Sequence, residues 1–106
     1  MRIETKELGI ELRREGHAHL EYAVFGALRQ FVPRVDRVRV CLRRRGPEAA
    51  VTCVMVAELL PSGRAVAILR AGHPYAAIDR AAAELRERIE HEPADVRPQR
   101  DFSVSN

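Results

Sequence analysis

In the stretch 63-GRAVAILRAGHPYAAIDRAAAEL-85 a turn, a strand and a helix follow one another without ambiguity. Pro61-Ser62-Gly63 supplies a turn, and Arg64 to about Arg70 reads as a short strand. Gly72-His73-Pro74 then opens a helix, since proline at the first helical position gives up only a donor that would be unpaired anyway. Tyr75, Ile78, Ala82, Leu85 and Ile89 recur at steps of three and four and make one apolar stripe. Asp79, Arg80, Glu84, Arg86, Glu87, Arg88 and Glu90 fill the opposite side, with Arg80, Glu84 and Arg88 at helical neighbour spacing. A strand that runs straight into a one-sided helix needs a sheet for the helix to cover.

Working upstream, 34-RVDRVRVCLRRRG-46 shows period two. Val38, Val40 and Leu42 fall on one face of a strand over about Val35–Arg44, and Arg37, Arg39, Cys41 and Arg43 on the other. A third strand over about Ala49–Leu59 alternates Val51, Cys53 and Met55 with Thr52, Val54 and Val56. Together with the strand after Gly63 this gives two successive hairpins, an antiparallel meander. At the N-terminus, Arg2–Lys6 suits a short first strand with Ile3 as its apolar member. A first helix is expected over about Arg14–Phe31 from Leu20, Val24, Ala27 and Phe31, closed by Pro33. Gly16 and Gly26 weaken it, each by roughly 1 kcal/mol if interior.

The order is β-α-β-β-β-α, an α+β fold in which two helices pack on one face of a four-stranded sheet, the layout of a double-stranded-RNA-binding domain. Residues 1–92 form this domain. From 93 to 106 the sequence loses period and reads as a flexible C-terminal tail.

With 106 residues the chain holds one small core, and its net charge is +3. The basic excess lies in residues 1–70, and every basic residue except Lys6 is arginine. An acidic N-terminus and the lack of a long apolar run point to a cytoplasmic protein without membrane contact. Cys41 and Cys53 lack metal-ligand spacing and read as free thiols of opposite phase. Catalysis finds no support. Ser62, Ser103 and Ser105 sit in a turn and a tail, the histidines are dispersed, and no glycine-rich phosphate loop exists. No metal and no cofactor is expected.

What remains is the uncovered sheet face. Arg37, Arg39 and Arg43 stand about 7 Å apart along one strand, close to the step between successive phosphates of a nucleic-acid strand. Arg44 and Arg45 add charge at the turn. Such a row also suits an ordinary solvated face. Val54, Val56, Val66 and Ile68 continue the same face with aliphatic groups, as a protein partner or a self-pairing surface would require. No aromatic lies among the arginines to stack bases.

At these residues the chain resembles the ribosome hibernation promoting factors, also called ribosome-associated inhibitor or sigma-54 modulation proteins. Tyr75-Ala76-Ala77-Ile78-Asp79 is similar to the family's helix opening, with Pro74 in place of its methionine, and the spacing from Gly63 fits. Val38-Arg39-Val40-Cys41-Leu42-Arg43 is similar to its second strand, and Ala49–Thr52 to its third. The resemblance covers residues 1–92 and implies a short, diverged, non-catalytic factor of stress or stationary phase. Such a factor inhibits translation by occupying the small ribosomal subunit, held through arginine contacts to ribosomal RNA phosphates.

The departures fall on those contacts. Glu84, Glu87, Glu90, His91 and Pro93 stand where the family has a basic cluster, and Tyr22, Ala23 and Gly26 where its first helix carries lysine. Arg43 and Arg29 keep the charge. The expected RNA-binding residues are therefore Arg37, Arg39, Arg43, Arg44 and Arg45, with Arg29, Arg64 and Arg70 secondary. The alternative is a diverged member that has lost the ribosome and pairs with a protein, or with itself as a homodimer, through Val54, Val56, Val66 and Ile68.

Overall fold

A computed structural model describes residues 1–91 of the chain; residue 92 and the expected tail, 93–106, lie outside the described residues. The elements are β1 (Arg2–Leu8), α1 (Arg14–Leu28), a 3-10 helix (Arg29–Arg34), β2 (Val35–Arg43), β3 (Val51–Leu59), β4 (Arg64–Ala71) and α2 (Pro74–Glu90). The strands lie in the order β1-β2-β3-β4. β1 runs parallel to β2, which requires a crossover, and α1 supplies it. β2, β3 and β4 form the expected antiparallel meander. The hairpin between β3 and β4 is closed by the Leu59 N–H donating to the Gly63 carbonyl at 2.9 Å.

The core lies between the helices and one sheet face. Val38, Val40 and Leu42 of β2, Val51, Cys53, Met55 and Ala57 of β3, and Ala65 and Ala67 of β4 are buried from one side. Ala77, Ile78, Ala81, Ala82, Leu85 and Ile89 of α2 meet them from the other. Each fully buried leucine or isoleucine here contributes roughly 1.5–3 kcal/mol relative to an exposed one.

The first helix departs from its expected form. The α-helix stops at Leu28, and Arg29–Arg34 tightens into 3-10 turns with Pro33 inside. The reason is Pro33 itself, which has no N–H and whose ring opposes the carbonyl four residues back. The buried row is Gly16, Leu20, Val24 and Leu28. Ala27 and Phe31 only flank it. Gly16 is buried for a reason of space: a Cβ there would lie 2.9 Å from the Leu12 side chain, which is itself in the core.

One irregularity shifts the phase of β2. Val35 pairs with Leu59, yet Arg37 pairs with Glu58, so Asp36 is the extra residue of a β-bulge. Val35 and Val38, three apart, therefore both point into the core. From Arg37 onward the alternation is regular and puts every expected arginine of this strand on the bare face.

Candidate functional site

Antiparallel register converts alternation along each strand into rows across the sheet. On the bare face four rows run from β1 to β4. The first holds Arg2, Arg37, Glu58 and Arg64; the second Glu4, Arg39, Val56 and Val66. The third holds Lys6, Cys41, Val54 and Ile68, and the fourth Leu8, Arg43, Thr52 and Arg70. Cations thus gather at two ends, with an aliphatic belt between them.

The two ends are unlike. At the first, Glu58 is clasped by two of the expected RNA-binding arginines. Arg37 donates from Nε at 3.1 Å and from Nη2 at 2.8 Å to one carboxylate oxygen. Arg39 reaches the other at 2.9 Å. Glu4 takes a further contact from Arg37 at 3.4 Å. The hydrogen bonds from Arg37, reinforced by the charges of Arg37, Arg39 and Arg64, hold the Glu58 carboxyl below its ordinary range against the opposing effect of desolvation. A carboxylate already stands where a phosphate would have to go.

A pH dependence follows. A carboxyl whose pKa is lowered on folding contributes stability above its unfolded pKa and loses it as pH falls through the folded value. Chemical denaturation of the parent protein from about pH 6 down to about pH 3 should show a steeper loss than the same series on Glu58→Gln. Parallel curves would mean that the clasp contributes nothing to folding.

Among the described residues the second end has no such counter-ion. Arg43, Arg45 and Arg70, with Ala49, Ala50 and Thr52, line a cavity of about 280 Å³. None of the three arginines forms an ion pair among the described residues.

Arg44 belongs to neither group. Its guanidinium donates to the Ala49 carbonyl from Nε and to the Gly72 carbonyl from Nη2, both at 3.1 Å, and its N–H donates to the Leu8 carbonyl at 2.9 Å. It ties the end of β1, the β2–β3 loop and the β4–α2 turn together. Gly9 completes the junction: its φ is +73°, and a Cβ there would run into the Arg44 carbonyl.

Arg29 and Arg64 also stand apart. Arg64 adds its charge beside Glu58. Arg29 lines a cleft of about 580 Å³ between α1 and α2, together with Gln30, Asp79, Arg86 and Glu87. That cleft is on the helical layer, away from the bare sheet face. Of the eight expected cations, the fold therefore assembles Arg43, Arg45 and Arg70 around one hollow. It commits Arg37 and Arg39 to Glu58, with Arg64 beside them, spends Arg44 on backbone carbonyls, and separates Arg29.

The belt residues Val54, Val56 and Val66 are half-buried, whereas Ile68 is 62% exposed. Cys41 lies among them, and Cys53 faces the core, where burial pushes its thiol up to about 12, with a smaller effect from Cys41. The histidines make a seam instead of a site. His19 stacks on Tyr75 with ring centroids 4.2 Å apart and reaches Asp79 at 2.8 Å. The Nδ1 of His73 accepts the Tyr75 N–H and so caps α2, while His17 meets Glu7 at 3.0 Å. No group of residues suited to hold a metal ion occurs among the described residues.

Sequence reasoning missed Glu58 and the Gly9–Arg44 junction. Glu58 shares the parity of Val54 and Val56, so its face was readable; its partners were not, because they depend on cross-strand register. A side chain bound to carbonyls leaves no pattern in sequence.

No family model matches the chain, and no curated protein matches it significantly. Solved structures do. The Protein Y N-terminal domain of Thermus thermophilus superposes with a TM-score of 0.68 at 20% identity, over 85% of this chain and 97% of that one. A ribosomal subunit interface protein from Coxiella burnetii superposes with a TM-score of 0.71 at 12% identity, over 85% of this chain and 94% of that one. The fold is theirs. These neighbours confirm the α+β architecture read from the sequence. Among the described residues no helix is long and apolar enough to cross a membrane.

Proposed function

We propose that this protein is a ribosome-associated, non-catalytic factor that binds small-subunit RNA through the bare face of its sheet and acts there by occupancy. The observation that carries this reading is the group Arg43, Arg45 and Arg70, which has no ion pair among the described residues. Arginines held together suit forked donation of N–H groups to phosphate oxygens. Support also comes from the fold's neighbours, one of which is by name a ribosomal subunit interface protein. Arg37 and Arg39 are secondary contacts in this reading, engaged only where a phosphate displaces Glu58. Arg64 adds to the field, and Arg44 orders the loop. Cytoplasmic location follows from the ribosome.

Ile68, the most exposed residue of the aliphatic belt, favours a second reading in which a protein docks on Val54, Val56, Val66 and Ile68. Charge argues against a second copy as that protein. The face presents Arg2, Lys6, Arg37, Arg39, Arg43, Arg64 and Arg70 against Glu4 and Glu58. Stacking it on itself opposes like charges over most of its area, so a partner here needs acidic groups of its own.

Co-sedimentation with purified small subunits over a salt series tests the first reading. Three phosphate contacts predict that log K falls against log salt with a slope of roughly −2 to −3. Absence from the subunit peak at the lowest salt would sink the reading, and a nuclease-insensitive acidic protein partner recovered in its place would establish the second.

A further inference from the structure

We infer that the hollow floored by Thr52 and walled by Arg43, Arg45 and Arg70 is a discrete site for a compact, multiply charged phosphate group. Arg43 and Arg70 flank Thr52 in one row, each on the strand next to β3 and so about 5 Å from it. Two guanidinium stems therefore rise on either side of one hydroxyl. Arg45 joins from the loop beyond β2, and Ala49 and Ala50 complete the lining. The donors line one concavity, whereas Arg37 and Arg39 lie against Glu58.

Geometry and charge select the ligand together. A guanidinium offers a planar fork of N–H groups that fits the oxygens of a phosphorus oxyanion. Three such cations repel one another while the hollow is empty. A single carboxylate leaves most of that repulsion in place; a pyrophosphate, or two neighbouring phosphates of a chain, offsets it. Rigidity adds to the selection. Thr52 and both flanking arginines sit on hydrogen-bonded strands, and the loop that carries Arg45 is fixed by Arg44 on Ala49 and Gly72. A preformed site loses little ordering entropy on binding. The hollow shares Arg43, Arg45 and Arg70 with the RNA reading and rests on it only for phosphate as the anion.

The test uses the free full-length protein, with no ribosome present. Pyrophosphate, orthophosphate and succinate are titrated in turn while the backbone amide resonances of Ala49, Ala50 and Thr52 are followed, and affinities are taken by calorimetry. Pyrophosphate should saturate these shifts, bind tighter than orthophosphate by about tenfold, and outcompete succinate. Arg70→Gln and Arg45→Gln should each weaken pyrophosphate by about tenfold or more without changing the melting temperature. Arg2→Gln should leave it within about twofold, since Arg2 lies on the same face but outside the hollow.

Linear, non-saturating shifts, or equal losses in Arg2→Gln and Arg70→Gln, would overturn the inference, because they describe a diffuse positive field and no site. A short RNA added to the pyrophosphate complex identifies the source. Displacement supports neighbouring backbone phosphates as the ligand, and coexistence supports a free polyphosphate compound. Saturable pyrophosphate binding together with failed subunit sedimentation would remove the ribosome reading and leave the hollow standing.

Discussion

Gly9→Ala should destabilise the domain by roughly 2–4 kcal/mol, the joint cost of a left-handed backbone for an L-residue and of a Cβ forced against a carbonyl. Gly9 has a φ of +73°, and the obstructing atom is the Arg44 carbonyl oxygen, part of the backbone and unable to swing aside. In a domain of this size such a loss lowers the melting temperature by roughly 10–25 °C. Gly26→Ala is the matched control. It lies in α1 with nothing within 4 Å of a Cβ, so the same change should raise stability by up to about 1 kcal/mol through helix propensity. Denaturant midpoints for both variants read the two signs directly. A neutral Gly9→Ala would mean that β1 and Arg44 separate at little cost, and that the loop bearing Arg45 is less firmly held than its hydrogen bonds imply.

The second large effect is on binding. Arg43→Glu combined with Arg70→Glu should lower affinity for small subunits by about a hundredfold or more at low salt and flatten the salt slope by about two units. Both positions face the hollow, and each reversal replaces attraction to a phosphate by repulsion. Arg37→Gln, made in the same assay, should cost no more than about threefold, because its guanidinium is already held by Glu58 and Glu4 and neutralises little beyond them. The contrast separates a local contact from the overall charge of the face. Equal losses from the two ends would show that the clasp on Glu58 opens freely when RNA arrives.

How far the sequence reaches can be judged element by element. α2 was legible from end to end, since its apolar stripe, the proline at its first turn and the Glu84–Arg88 spacing are all local; the pair forms at 2.9 Å. The phases of β2, β3 and β4 were legible because a sheet with one covered face imposes period two on each strand. The end of α1 was not. Ala27 and Phe31 continue an apolar spacing past the point where Pro33 forces tighter turns, and they lie beside the true row that ends on Leu28. The bulge at Asp36 was invisible because an inserted residue becomes apparent only against its partner strand.

The arginines divide along the same line. Their side of the sheet could be read, and their partners could not. Arg37 and Arg39 lie on β2, whereas Glu58 that holds them is on β3. A run of like residues in sequence thus resolves into a clasp, a structural tie and a hollow, according to contacts made by residues distant along the chain.

The single-sided cover of this sheet has a consequence for how such a chain can change over time. Side chains that point toward the helices decide whether the domain folds at all, and their neighbours one position along decide only what it meets. Drift in the second set leaves the first untouched. The same architecture persists at 12% and 20% identity in the two solved neighbours, as expected where folding and recognition are inherited on alternate residues. Exchanges on the bare face thus alter what the sheet meets and leave the scaffold whole.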